Sequence, residues 1–192
     1  MYQKGNKELR IISLYRGNYT SKFYLRQISS LTKLPLKTCQ NTLLSLEKEN
    51  IIKSKIEGKN KYFTLNSNNV LTKSYLLKTE IYNTEIFLEK YPLFSTFLKS
   101  LSTNELIIIF GSFAKLKTNE HSDLDLFIVT NKKQKHPLHL LPYKVHQQIL
   151  TENLFKKLIL NKETLIKEIQ ENHIILNNHS SYVNIMWENY GK

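Results

Sequence analysis

The chain has 192 residues, 41% of them hydrophobic and 23% charged, which excludes a disordered composition and allows one large domain or two small ones. Its 28 Lys and Arg against 16 Asp and Glu leave a formal charge of +12, which favours polyanionic partners. No apolar run approaches the roughly 20 residues that span a bilayer, the first residues lack an apolar signal core, and the single Cys39 excludes a disulfide framework or a multi-cysteine zinc site. No membrane partner and a cytoplasmic, reducing location are therefore expected.

The charge is uneven. Residues 1–70 hold 13 Lys and Arg against 4 acids, and residues 71–192 hold 15 against 12. A lysine-rich proteome would load both parts alike, so the first third is the candidate for a polyanion contact. Within it, Leu9, Ile11, Ile12 and Tyr15 have helical spacing, and so do Leu25, Ile28 and Leu31. Pro35 suits the first turn of a third helix, in which Cys39, Leu43 and Leu46 fall on one face. The opposite face carries Lys37, Thr38, Gln40, Asn41, Ser45 and Lys48. Residues 51–56 and 61–65 read as two strands joined by a turn at Glu57-Gly58-Lys59-Asn60.

Three helices followed by a basic hairpin resemble the winged helix-turn-helix family over about residues 6–66. The resemblance implies binding to double-stranded DNA. Lys37, Thr38, Gln40 and Asn41 would reach bases or phosphates, and Lys53, Lys55, Lys59 and Lys61 would meet phosphates. A winged helix can also serve as a protein-interaction or dimerisation module. A polar stretch, Asn66-Ser67-Asn68-Asn69, marks a boundary. It divides the chain into a domain at 1–66, connecting helices at 67–102 and a second domain at 103–192. The connector carries an amphipathic helix over 71–89, whose broad apolar stripe either packs on the second domain or pairs with a second copy in a homodimer. A short helix over 93–101 follows.

The second domain opens with Glu105-Leu106-Ile107-Ile108-Ile109-Phe110, a buried strand, which ends in Gly111-Ser112-Phe113-Ala114-Lys115. A strand that ends in Gly-Ser and opens a helix presents backbone N–H groups to phosphate oxygens. Ser122–Val129 reads as the next strand. Asp123 and Asp125 stand at i and i+2 and share a face. They are the only aspartates in the chain. Two neighbouring carboxylates repel unless a cation sits between them, and Mg2+ held by carboxylates and substrate phosphates is a common solution. The alternative is an acidic strand end with no ligand.

Gly111-Ser112-Phe113-Ala114-Lys115 followed by Ser122-Asp123-Leu124-Asp125-Leu126 resembles the signature of the nucleotidyltransferase superfamily related to DNA polymerase beta, and above all its minimal members. The implied fold is α+β, an N-terminal winged helix-turn-helix followed by a small mixed-sheet nucleotidyltransferase domain with flanking helices. The implied activity is Mg2+-dependent transfer of a nucleoside monophosphate from an NTP to an acceptor protein or nucleic acid. Gly111, Ser112 and Lys115 would bind the nucleotide, and Asp123 and Asp125 would be the catalytic metal ligands. The alternative is a transcriptional regulator whose nucleotidyltransferase fold senses nucleotide or dimerises without catalysis. A nucleotidylating, antitoxin-like role is a narrower variant.

Two departures from the family pattern stand out. Leu116 occupies a position usually held by glycine. The strand over 143–150, expected to bear a third carboxylate, contains no acid. His146 or Gln148 takes the third position, His146 as base, ligand or plain edge residue, and Glu152 is a weaker substitute. His136-Pro137-Leu138-His139 has too few neighbouring ligands for a zinc site. Residues after Thr151 read as helices and a tail that covers the sheet.

Overall fold

The computed structural model describes residues 7–132, 135–161 and 163–190. They fall into two compact units: one runs through Thr79 and includes the C-terminal residues from Met186, and the other spans Glu80–Ile185. Among the described residues no helix is long and apolar enough to cross a membrane.

The first unit begins with α1 (Lys7–Ile12), extended by a 3-10 turn, and continues through β1 (Phe23–Tyr24), α2 (Leu25–Thr32) and α3 (Leu36–Lys48). Lys33 adopts a left-handed conformation that ends α2, and Pro35 caps α3 from outside rather than standing in its first turn. In α3, Cys39, Leu43 and Leu46 are buried as their spacing requires, and the helix packs on α1 and α2. The hairpin is β2 (Ile52–Glu57) and β3 (Asn60–Leu65), turning through Gly58 at φ +59. β1 adds a third strand, antiparallel to β3. The buried Tyr15 hydroxyl donates to the Phe63 carbonyl at 3.0 Å and fastens the hairpin to the helices.

A long helix, α4 (Val70–Lys90), carries the chain from the first unit into the second. The second unit continues with α5 (Phe94–Lys99), β4 (Leu106–Phe110), the single turn α6 (Gly111–Ala114), β5 (Leu124–Val129) and β6 (Val145–Leu150). It closes with α7 (Glu152–Leu160), α8 (Thr164–Glu171), β7 (Ile174–Asn177) and α9 (His179–Tyr190), whose last turns belong to the first unit. The sheet is mixed, with strand order β6-β5-β4-β7. β5 and β6 are parallel, and β4 is antiparallel to both its neighbours. The tail over 172–177 therefore enters the sheet as β7 rather than covering it. Its Ile174, Ile175 and Leu176 are buried because β7 has a packed layer on both sides.

One face of this sheet, with Ile107, Ile109, Leu124, Leu126 and Ile128, packs on Phe87, Phe94, Phe97 and Phe113. On the other face Phe127 meets α7, where the rings of Phe127 and Phe155 stand 5.2 Å apart, and Ile108 is buried. β4 is buried along its whole length, which accounts for its unbroken Leu-Ile-Ile-Ile-Phe sequence. A buried pair, His173 Nε2 to Glu80 Oε2 at 3.2 Å, joins α4 to the start of β7.

Candidate active site

The register of three strands builds the site. Asp125 lies across from Phe110, the last residue of β4, and on its other side across from His146 of β6. The chain leaves β4 at Gly111, so the glycine-serine bend starts beside Asp125. Gly111 has φ +68, and a Cβ added there would stand 2.4 Å from Asp125 Oδ2. Both the backbone conformation and the close carboxylate require glycine.

Asp123 precedes β5 but keeps the alternation, and it meets the same imidazole as Asp125. His146 Nε2 is 3.6 Å from Asp123 Oδ2, and His146 Nδ1 is 3.7 Å from Asp125 Oδ1. Lys144, two residues before His146, reaches Asp123 Oδ2 at 3.2 Å. Gln148 lies further along the strand, across from Phe127, and is exposed. Glu152 begins α7 beyond the opposite end of β6, a strand length from Asp125, so it does not join this group.

The bend is held by its own hydrogen bonds. Leu116 N–H donates to Phe113 O at 3.0 Å, and Lys117 N–H donates to Ser112 O at 3.1 Å. This is a helix-ending motif whose left-handed position is usually glycine, and Leu116 holds it at φ +55. The backbone thus keeps the path that glycine would give. A leucine there costs about 1–2 kcal/mol, offset by its packing against the aromatic core.

Lys115, from the same bend, lies 3.8 Å from Glu168 Oε1 of α8. Glu168 has no sequence signal: it arrives from a helix 43 residues beyond Asp125, and only the folded chain brings it here. The Asp125 carboxyl is raised above the ordinary aspartate range. Loss of water is the main cause, partly offset by His146 and reinforced by the charges of Glu168 and Asp123. Three acids thus share a partly dehydrated site with one imidazole and two lysines, a setting that also suits a cation between the aspartates. Among the described residues no trio of His, Cys, Asp or Glu is arranged to hold a metal ion alone. Two carboxylates completed by substrate oxygens are nevertheless a donor set that suits Mg2+.

Residues 95–181 match the family model described as polymerase beta, nucleotidyltransferase. They form a polymerase beta-type nucleotidyltransferase domain. No curated protein matches the chain. Among solved structures, one described as TrmBL2, an archaeal chromatin protein with a novel mode of DNA binding, is similar over 88% of this chain and 71% of that one, at 18% identity and a TM-score of 0.28. The nucleotidyltransferase domain contains the glycine-serine bend, both aspartates and His146, while the basic hairpin lies outside the matched residues.

In the first unit, Lys37, Gln40 and Asn41 are exposed on α3, and Thr38 is half-buried. The hairpin lysines do not share a face. Lys53 and Lys55 pair with Thr64 and Tyr62 on one side, and Lys61 pairs with Ile56 on the other. Lys61 is also bound to Glu47 at 3.0 Å, whereas Lys59 stands in the turn. Lys22, not singled out in the sequence, pairs with Glu57 and lies over the Tyr62 ring.

Proposed function

We propose that the protein binds double-stranded DNA through its first unit and transfers a nucleoside monophosphate from an NTP to an acceptor in its second. The observation that carries the enzymatic reading is the meeting of Asp123, Asp125 and Gly111 at one sheet end within a nucleotidyltransferase domain. Gly111 and Ser112 offer backbone N–H groups to the triphosphate, and Lys115 releases Glu168 to contact phosphate oxygens. Asp123 and Asp125 would hold Mg2+, which supplies charge neutralisation on the phosphate oxygens during an in-line displacement. His146, in contact range of both aspartates, accepts the proton that the acceptor hydroxyl loses as it attacks the α-phosphorus. Pyrophosphate is the leaving group.

DNA binding is supported by the +9 charge of the first 70 residues and by exposed Lys37, Gln40, Asn41, Lys53, Lys55 and Lys59. A second reading, a regulator that senses nucleotide without turnover, is favoured by His146 where the resemblance places a carboxylate. Incubation with labelled NTPs, Mg2+ and acceptor pools separates the two. Label transfer that disappears in Asp123→Asn supports the enzyme. NTP binding that shifts DNA affinity, with no transfer, supports the regulator. Intact-mass analysis of co-purified proteins then identifies a nucleotidylated acceptor.

A further inference from the structure

The two edges of the mixed sheet differ. β7 has four residues, is buried apart from the half-buried Asn177, and meets β4 through a register shift between Ile107 and Ile108. β6 has six residues, an unbroken ladder with β5 from Val145 to Leu150, and exposed side chains from His146 to Ile149. Among the described residues no strand pairs with its outer side. Proteins usually blunt a sheet edge with a short strand, a bulge, proline or lysine. β6 has none of these.

Pairing with β5 fixes which backbone groups of β6 face outward. Leu124 N–H donates to Lys144 O at 2.8 Å, and Thr130 N–H donates to Leu150 O at 2.9 Å. Alternation along the strand therefore turns the N–H and C=O groups of His146 and Gln148 toward β5, and those of Val145, Gln147 and Ile149 toward the open edge. Ile149 shares a face with its buried ladder partner Ile128 yet is 51% exposed, so that apolar face runs out to the edge. The strand carries no carboxylate and no ammonium group.

We propose that β6 pairs with β6 of a second copy, antiparallel about a twofold axis at Gln147. Val145 then lies opposite the partner's Ile149, and Gln147 opposite the partner's Gln147, so every outward N–H and C=O within the strand finds a mate. Shifting the axis by one residue drives Val145 or Ile149 past the end of the facing strand. The neutral strand sets no like charges opposite each other, and Ile149 gains Val145 as an apolar neighbour. A second copy matches this edge by symmetry, whereas a foreign strand has no such constraint. The pairing also reaches the candidate active site. His146 and the partner's Gln148 become directly opposite on the face that carries Asp125, with Cα atoms about 4.5 Å apart. The partner thus brings a carboxamide beside the imidazole. That last consequence rests on the role proposed above for His146; the dimer itself does not.

The test is sedimentation equilibrium of the full chain from about 5 to 500 µM, a readout that needs no enzymatic activity. The wild type should form a dimer in this range. Gln147→Lys sets two ammonium groups against each other at the axis, and Gln147→Glu sets two carboxylates. Each should raise the dimer dissociation constant at least about tenfold, as juxtaposed like charges do. An equimolar mixture of the two variants should recover dimer, because only this register places position 147 opposite itself. Gln147→Pro removes an outward N–H without touching the ladder to β5 and should also weaken the dimer at least about tenfold. Gln147 is exposed, so the charge variants keep the fold; if the proline variant unfolds, the lysine–glutamate mixture decides. A wild type that stays monomeric throughout would leave the edge to another chain's strand and overturn the proposal. So would a dimer unchanged by the charge variants, which would point to another face such as α4, or a mixture that fails to recover dimer.

Discussion

The two units of the chain use charge in opposite ways. In the first, the cations are scattered over α3 and both faces of the hairpin, mostly in water, and only a few are tied to acids. In the second, acids from the strands and α8 crowd a bend beside one imidazole and two lysines. Dispersed, hydrated charge acts additively and is screened by salt. Concentrated, partly dehydrated charge acts as a unit, so one substitution disables it. The contrast leads to the expectation that the exposed cations of the first unit tolerate single substitutions, while the acids at the bend of the second do not.

The largest effect should come from Gly111→Ala. Its methyl group would collide with the Asp125 carboxylate, and its backbone would hold φ +68. We expect transfer to fall at least about 100-fold, the scale of a 1 Å misplacement at a reacting centre. Thermal unfolding should show a loss of about 1–3 kcal/mol. A fully active, stable Gly111→Ala would mean that the bend and the aspartate are not coupled.

Asp125→Asn should sharpen the contrast from the other side. A carboxyl raised in the folded state favours folding less as pH rises through the interval between its unfolded and folded pKa values. The wild type therefore loses this contribution as Asp125 ionises, and the asparagine variant does not. At neutral pH the variant should be more stable by about 0.5–2 kcal/mol while inactive in transfer. Melting curves of both proteins across the acid range would show their stabilities converging toward low pH.

Lys53→Ala and Lys55→Ala should each weaken DNA binding only a few-fold, additively, and reduce the slope of log affinity against log salt by about 1 per lysine. Lys61→Ala should do less to binding, since Glu47 already occupies that ammonium. A single lysine that abolished binding would break the additive picture.

The smallest effect tests the bend. Leu116→Ala loses packing and keeps the left-handed strain, whereas Leu116→Gly loses packing and sheds the strain. Chemical denaturation should place the glycine variant about 1 kcal/mol above the alanine variant.

Much of this arrangement was legible in the sequence, for identifiable reasons. Cys39, Leu43 and Leu46 repeat at helical spacing, and Gly58 sits between two β-rich runs, so α3 and the hairpin could be drawn before the structure. The i, i+2 spacing of Asp123 and Asp125 placed them on one face even though Asp123 falls outside the strand. The rest depends on tertiary contacts. β1 has two residues and exists only because β3 pairs with it. β7 is a short apolar run whose place beside β4 no local pattern announces. Glu168 and Glu105 gain their meaning from neighbours distant in the chain, Lys115 and His136.

The central claim, that the paired aspartates and the glycine-serine bend together hold a magnesium–triphosphate, is tested most directly by calorimetric titration of ATP and GTP into wild type and Asp125→Asn, with Mg2+ and with EDTA. We predict nucleotide binding by the wild type that requires Mg2+ and is lost in the variant. Equal affinity in all four conditions, or no nucleotide binding at any Mg2+ concentration, would contradict it.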